Sequence, residues 1–128
     1  MADYTLVNLA DVDDAAVAGG FSDVQEAHFA TRDLDLADLG LSYQVVRPNR
    51  QHAFGHRHKE IEEVYVVVGG AGTCRLDDGE VPVKRLDAIR VAPSVTRGFA
   101  ASAEGLELLV FSPIAPGDAE IVESFFEG

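Results

Sequence analysis

The sequence contains little cysteine, little lysine and no long apolar run. Its single thiol, Cys74, excludes an internal disulfide, so the fold does not depend on an oxidising compartment. No apolar stretch approaches the roughly 20 residues of a membrane-spanning helix. The first residues, MADYTLVNLADVDD, lack the basic segment and apolar run of a signal peptide. These absences predict a cytoplasmic protein that does not cross a membrane.

Positive charge is also scarce. The chain has 10 Lys and Arg residues against 22 Asp and Glu residues, which gives this acidic protein a net charge of −12 at pH 7. Nucleic acids are bound through a basic surface that neutralises phosphates, and anionic membrane surfaces attract clusters of basic residues. The charge balance therefore argues against both kinds of partner.

The apolar residues follow a period of two, which is typical of β-strands. The 128 residues are 47% hydrophobic, enough for one domain with a single core. Short strands separated by Gly, Asp and Pro predict an all-β protein, an antiparallel barrel or double-sheet jelly roll. GGAG at 69–72 is interpreted as a turn and Asp77-Asp78-Gly79 as a hairpin, while 15–20 and 34–39 are short helical candidates. The predicted strands are 4–9, 24–31, 41–47, 53–58, 62–68, 73–76, 81–84, 87–92, 97–101 and 106–112.

One domain is expected over 1–128, with the barrel core at about 40–112. The segment 4–31 and the tail 113–128 are expected to pack outside the barrel or on a partner. Strands 62–68 and 106–110 are apolar on both faces. One face fills the barrel and the other needs a cover, so we expect a homodimer through the sheets.

The stretch FGHRHKEIEEVYVVVGG, residues 54–70, contains the candidate metal ligands. His56 and His58 lie two apart and therefore project from the same side of a strand. A turn over 59–62 lets Glu63 return from the next strand toward the same space. Two imidazoles and one carboxylate that leave open positions suit Fe(II), Mn(II), Ni(II) or Zn(II). If the strand stays extended, His52 shares this face as a further ligand, whereas a bend near Gly55 places it at the mouth or surface.

This stretch resembles the first signature motif of the cupin superfamily. His56, x, His58, four residues, Glu63, six residues and Gly70 match it, although Arg50 stands where the motif opens with Gly. The resemblance covers about residues 40–112 and is closest to small single-domain cupins. It implies a small antiparallel β-barrel in which these three residues bind a divalent metal ion.

The second cupin motif keeps its spacing but loses its metal ligand. It aligns with LDAIRVAPSVTRGF, where Leu86 replaces the opening Gly and Arg97 replaces the His that would be a fourth ligand. Ala92, Ser94 and Ala101 replace the motif's Pro, second Gly and Asn. An arginine cannot bind a metal ion and stays charged.

Arg97 leaves several interpretations open. It lies either at the barrel rim or inside. Inside, it either pairs with Glu63 in a metal-free polar network or faces an anionic substrate beside a three-ligand metal. Tyr65 and Gln44 become pocket-lining, substrate-binding groups if they point inward.

Two classes of function follow. The first is a metal-dependent cupin enzyme, a dioxygenase, isomerase, epimerase or lyase, that acts on a small polar or anionic molecule. The second is a non-catalytic binding or sensor barrel with the same pocket, without metal, in which Arg97 replaces the fourth ligand. The three kept ligands favour the enzyme, and the lost fourth ligand favours the binder.

Overall fold

Antiparallel strands connected by short turns make up most of the chain. The computed structural model describes residues 3–127, and the strands in that part form a single curled sheet. This arrangement confirms the predicted all-β class and the jelly-roll type of barrel. In chain order the strands are β1 (Gln25–Phe29), β2 (Leu39–Val46), β3 (Gly55–His58), β4 (Glu63–Leu76), β5 (Gly79–Lys84), β6 (Ala88–Val91), β7 (Arg97–Pro113) and β8 (Ala119–Val122).

Two long strands, β4 and β7, organise the sheet. They pair from Val64 opposite Phe111 to Leu76 opposite Arg97, with register shifts near Gly69 and between Gly70 and Gly72. The prediction that GGAG turns the chain is therefore wrong, because these glycines lie inside one continuous strand. A Cβ atom on Gly70 would overlap the carbonyl oxygen of Gly105, so glycine permits the close approach of the two backbones. The predicted hairpin at Asp77–Gly79 is present between β4 and β5.

The core lies on one face of these strands. Over residues 63–68 of β4, buried and half-buried positions alternate, as the period of two requires. Inward residues of β7 complete the packing, and Phe99 stacks obliquely on Tyr65 with 4.9 Å between ring centroids. The buried cluster comprises Val46, Tyr65, Val67, Cys74, Val83, Val91, Phe99, Leu106, Leu108 and Val110.

The N-terminal segment differs from the prediction. Residues 4–9 form no strand, and the side chains of Tyr4 and Leu6 are exposed. A 3-10 turn at Leu9–Asp11 follows, then the short helix α1 (Ala15–Gly19), which the sequence indicated. Asp14 caps α1 by accepting a hydrogen bond from the Ala16 N–H at 2.9 Å. The other helical candidate, 34–39, forms turns that lead into β2.

The C-terminal segment lies against β3. Strand β8 pairs with β3 along its whole length, from Gly55 opposite Val122 to His58 opposite Ala119. Among the described residues β3 does not pair with β4, so the expected hairpin between these segments is absent. Beyond β8, Phe125 is buried and carries the Arg75 guanidinium 4.8 Å above its ring centre.

Candidate metal centre

The structure brings together the two histidines and the glutamate singled out by their spacing. His56 and His58 project from β3, and Glu63 begins β4 on the facing side. The Oε1 atom of Glu63 lies 2.9 Å from His56 Nε2 and 3.3 Å from His58 Nε2. One potential ligand atom from each of the three residues lies within 4.8 Å of the others.

A second carboxylate orients His58. Asp118, just before β8, lies with Oδ2 3.2 Å from His58 Nδ1. Its two oxygens also accept hydrogen bonds from three successive backbone N–H groups, those of residues 59–61. Because a carboxylate only accepts hydrogen bonds, Nδ1 carries the proton and Nε2 presents a lone pair to Glu63. Sequence reasoning missed Asp118, since no local motif links it to His58.

The Glu63 carboxylate is held ionised. Tyr65 donates its hydroxyl proton to Oε1 at 2.6 Å, and the Arg97 guanidinium lies 3.5 Å away. Burial raises the pKa of Glu63, but hydrogen bonds from His56 and Tyr65 outweigh it and hold that pKa at about 2. Glu63 is therefore a carboxylate at any physiological pH.

Arg97 lies inside the barrel and is fully buried, not at the rim. Its Nε donates to the Tyr65 hydroxyl at 3.1 Å, and Nη1 donates to the carbonyls of Pro93 and Val95. Neither Arg97 nor Tyr65 lines the cavity, whereas Gln44 does. Contact of Arg97 and Tyr65 with a substrate, one interpretation of the sequence, stays a prediction.

His52 stands beside the candidate ligands without joining them. Its Nδ1 accepts a hydrogen bond from the backbone N–H of Phe99 at 3.0 Å, which leaves the proton on Nε2. Burial, with a contribution from the charge of His56, lowers the pKa of His52 to about 4. The ring is neutral and its Nδ1 lone pair is used, so the structure does not place it as a ligand.

A cavity of about 320 Å³ opens in front of the three residues. That volume is within the range of small-molecule sites. Its walls come mostly from β1, β2, β3 and α1. No arginine or lysine of residues 3–127 lines it. The lining residues are Ala15, Ala16, Gly19, Phe21, Gln25, Ala27, Phe29, Ser42, Gln44, His52, Phe54, His56, His58, Glu63, Ala119 and Ile121.

The donor set fits a divalent metal ion. Ligands about 2.1 Å from a metal and at right angles to each other are about 3.0 Å apart, close to the separations of Glu63 Oε1 from the two Nε2 atoms. The Nε2 atom of His58 is buried and makes no hydrogen bond within the described residues. A buried lone pair without a partner is what a metal ion would satisfy. His56, His58 and Glu63 would hold the ion.

Cys74 and His28 take no part in this centre. Burial raises the pKa of the Cys74 thiol to about 12, which makes it a poor nucleophile, although the charge of Arg97 acts the other way. His28 is buried at the N-terminal side of the sheet, on β1. Its Nδ1 donates to the Val12 carbonyl, and its Nε2 lies 2.9 Å from Glu26.

Several solved structures resemble this one. A cupin protein from Bacteroides fragilis matches with a TM-score of 0.68 and 20% identity, over 91% of this chain and 88% of the other. The polyketide cyclase RemF from Streptomyces resistomycificus matches with a TM-score of 0.73 and 21% identity, over 94% and 85%. A sugar phosphate isomerase of the cupin superfamily from Silicibacter pomeroyi matches with a TM-score of 0.70 and 19% identity, over 87% and 76%.

The protein therefore has the cupin fold, as the resemblance of its first motif implies. Neither a protein-family model nor a curated protein sequence matches the chain. Within residues 3–127, every helix is too short to cross a membrane.

Proposed function

We propose that this protein is a metal-dependent enzyme of cupin type that acts on a small molecule in the cavity. The observation that carries the proposal is the buried, unpartnered Nε2 lone pair of His58 beside Glu63 and His56. A divalent ion bound there, whether Fe, Mn, Ni or Zn, would polarise a substrate oxygen or activate O₂. The surrounding side chains hold the ligands in place.

The division of roles follows from the hydrogen bonds. Glu63 supplies the negative charge that balances part of the ion's charge. Tyr65 donates to that carboxylate and fixes its orientation, while Arg97 fixes the Tyr65 hydroxyl. Isomerase and cyclase chemistry are the first to screen, because two of the similar structures are named as a sugar phosphate isomerase and a polyketide cyclase.

Metal analysis by mass spectrometry on protein purified without chelator tests the proposal. We expect about one equivalent of a transition metal per chain, lost in Glu63→Gln. Glu62→Gln is the matched control, because Glu62 is the exposed neighbour and pairs with Arg90 across the surface. Absence of metal after reconstitution with each ion, or equal metal in both variants, would overturn the proposal.

A metal-free binding protein is the second candidate. It is favoured by Arg97, whose fixed positive charge lies 3.5 Å from the same carboxylate oxygen that would bind the ion. In that case Glu63 pairs with Arg97 and His56, and the barrel binds its ligand without turnover. Metal-free protein that retains its thermal stability after chelation and still binds a ligand would favour this candidate.

We also propose that two copies of the chain pair through their sheets. Across β2, β7 and β4, the rows Leu41–Phe111–Val64 and Tyr43–Leu109–Val66 form an apolar outer face that is only half-buried. Light scattering during size exclusion should give a dimer, and Leu109→Asp a monomer. Val81→Asp, on the exposed strand β5, should leave the dimer intact, and a monomeric native protein contradicts the proposal.

A further inference from the structure

The cavity offers almost no charge to a ligand away from the metal centre. Apart from the three candidate ligands and His52, its lining is apolar or carries neutral amide and hydroxyl groups. Each of these polar side chains makes one hydrogen bond within the protein. Gln25 accepts a hydrogen bond from the Ala53 N–H at 2.8 Å, and Gln44 donates to the Ser42 hydroxyl at 3.2 Å. A phosphate or carboxylate in this part of the cavity would be desolvated without a cation to pair with.

Aromatic side chains shape the same walls. Phe21 and Phe54 meet edge to face, with 5.2 Å between ring centroids, and both line the cavity. Phe29 and Ile121 line it as well and are more than half exposed. A rigid ring system would bury this apolar surface at a small cost in conformational entropy.

Away from the metal centre, His52 supplies a buried polar atom in the cavity lining that has no partner among the described residues. Its backbone N–H donates to the Phe99 carbonyl at 2.9 Å, while Phe99 returns a hydrogen bond to Nδ1 at 3.0 Å. These two bonds fix the ring and put the proton on Nε2. Nε2 is buried and has no hydrogen-bond acceptor among the described residues. A buried donor of this kind in a cavity wall is suited to a ligand oxygen.

We infer that the substrate is an uncharged, largely apolar ring compound whose carbonyl oxygen accepts a hydrogen bond from His52 Nε2. This inference rests on the proposed function, whose site it uses, and it differs from the polar or anionic substrate that the sequence suggests. His52 is a specificity-determining residue under this inference and not a metal ligand.

Binding of model compounds to metal-stripped protein, followed by ¹⁵N NMR titration, tests the inference. The probes are 1-tetralone, tetralin and 1-naphthoate, which have two fused rings and differ in having a carbonyl, no oxygen or a negative charge. We expect 1-tetralone to bind roughly tenfold more tightly than the other two, since one hydrogen bond at a buried site has about that effect. Shifts should fall on amides of the lining residues.

Two substitutions separate hydrogen bonding to the ligand from support of the fold. In His52→Asn, the amide oxygen still accepts from the Phe99 N–H, but the side chain is too short to replace Nε2. In His52→Gln, the amide nitrogen replaces Nε2 and the acceptor for Phe99 is lost. We expect His52→Asn to bind 1-tetralone roughly tenfold more weakly with tetralin unchanged, and His52→Gln to retain the preference for 1-tetralone.

The inference is overturned if 1-naphthoate binds as tightly as 1-tetralone, if 1-tetralone does not bind, or if His52→Asn weakens tetralin equally. Metal content of the native protein is measured separately. The titration uses metal-stripped protein, so its result does not depend on metal content. Absence of metal in the native protein contradicts the proposed function alone. Failure of 1-tetralone to bind contradicts this inference alone.

Discussion

Asp118 sets the proton position on His58. Its carboxylate accepts from His58 Nδ1 and is itself fixed by the backbone N–H groups that follow β3. The carboxylate–histidine pair directs the Nε2 lone pair toward Glu63. Such outer partners of a histidine ligand typically change metal affinity by 10–100-fold when they are removed.

We therefore expect Asp118→Ala to weaken metal binding by roughly 10- to 100-fold, measured by competition with a chelator. Glu120→Gln is the matched control, because Glu120 is a carboxylate on β8 that pairs with the half-exposed Arg57. Metal affinity that is equal in the two variants would show that Asp118 does not orient His58.

Removal of the Arg97 charge should destabilise the fold strongly. Arg97→Met leaves Glu63 without its guanidinium and two carbonyls without a donor. Loss of one partner of a buried ion pair typically lowers the free energy of unfolding by about 3–5 kcal/mol. The measurement is urea unfolding beside Arg57→Met, whose exposed pair should contribute less than about 1 kcal/mol. Similar losses in both variants would contradict the role of Arg97.

Leu86 occupies a backbone conformation that favours glycine. Its φ angle is +75°, and its side chain is 68% exposed. Left-handed conformation costs a non-glycine residue about 1–2 kcal/mol, part of which is offset by the greater freedom of glycine in the unfolded chain. Leu86→Gly should therefore raise the free energy of unfolding by about 0.5–1 kcal/mol. Leu39→Gly, at an exposed strand position with ordinary φ, should lower it by a similar amount.

His28 should make stability depend on pH. Its ring contacts the Val12 carbonyl and Glu26, with Asp14 nearby and Tyr43 stacked beside it. Burial lowers its pKa, but the hydrogen bonds and carboxylates prevail, so the folded pKa lies above the ordinary 6.5. Protonation therefore favours the folded state below pH 6.5, and this contribution disappears as pH rises through the folded pKa.

The free energy of unfolding should therefore differ more between native protein and His28→Gln at pH 5.5 than at pH 8.5. Urea titrations at the two values measure the difference. A gap that is constant or widens at high pH would show that His28 is neutral in the folded protein.

Local patterns predicted most of the strands, although not β8, and the convergence of the three candidate ligands. The spacing of two between His56 and His58 is sufficient to place both on one face of a strand. GGAG was misinterpreted because a glycine run is compatible with either a turn or a close backbone approach, and only the carbonyl of Gly105 distinguishes them.

Long-range pairing explains what the sequence did not predict. Asp118 contacts His58 because β8 pairs with β3. No local sequence pattern around either residue predicts that pairing. The inward position of Arg97 depends on the carbonyls of Pro93 and Val95, which the curvature of the chain before β7 brings together. Every residue has a backbone carbonyl, so a sequence does not show which carbonyls will accept hydrogen bonds from a buried arginine.

The pairing of β3 with β8 has a consequence for the order of assembly. The strand that carries both imidazoles joins β7 only at His56 opposite Arg97, and its continuous partner comes from residues 119–122. The long strands β4 and β7 pair with each other without any contribution from that segment. His58 therefore acquires its acidic partner only when β8 has joined β3, so the barrel cannot bind a metal ion at full strength until that strand is in place.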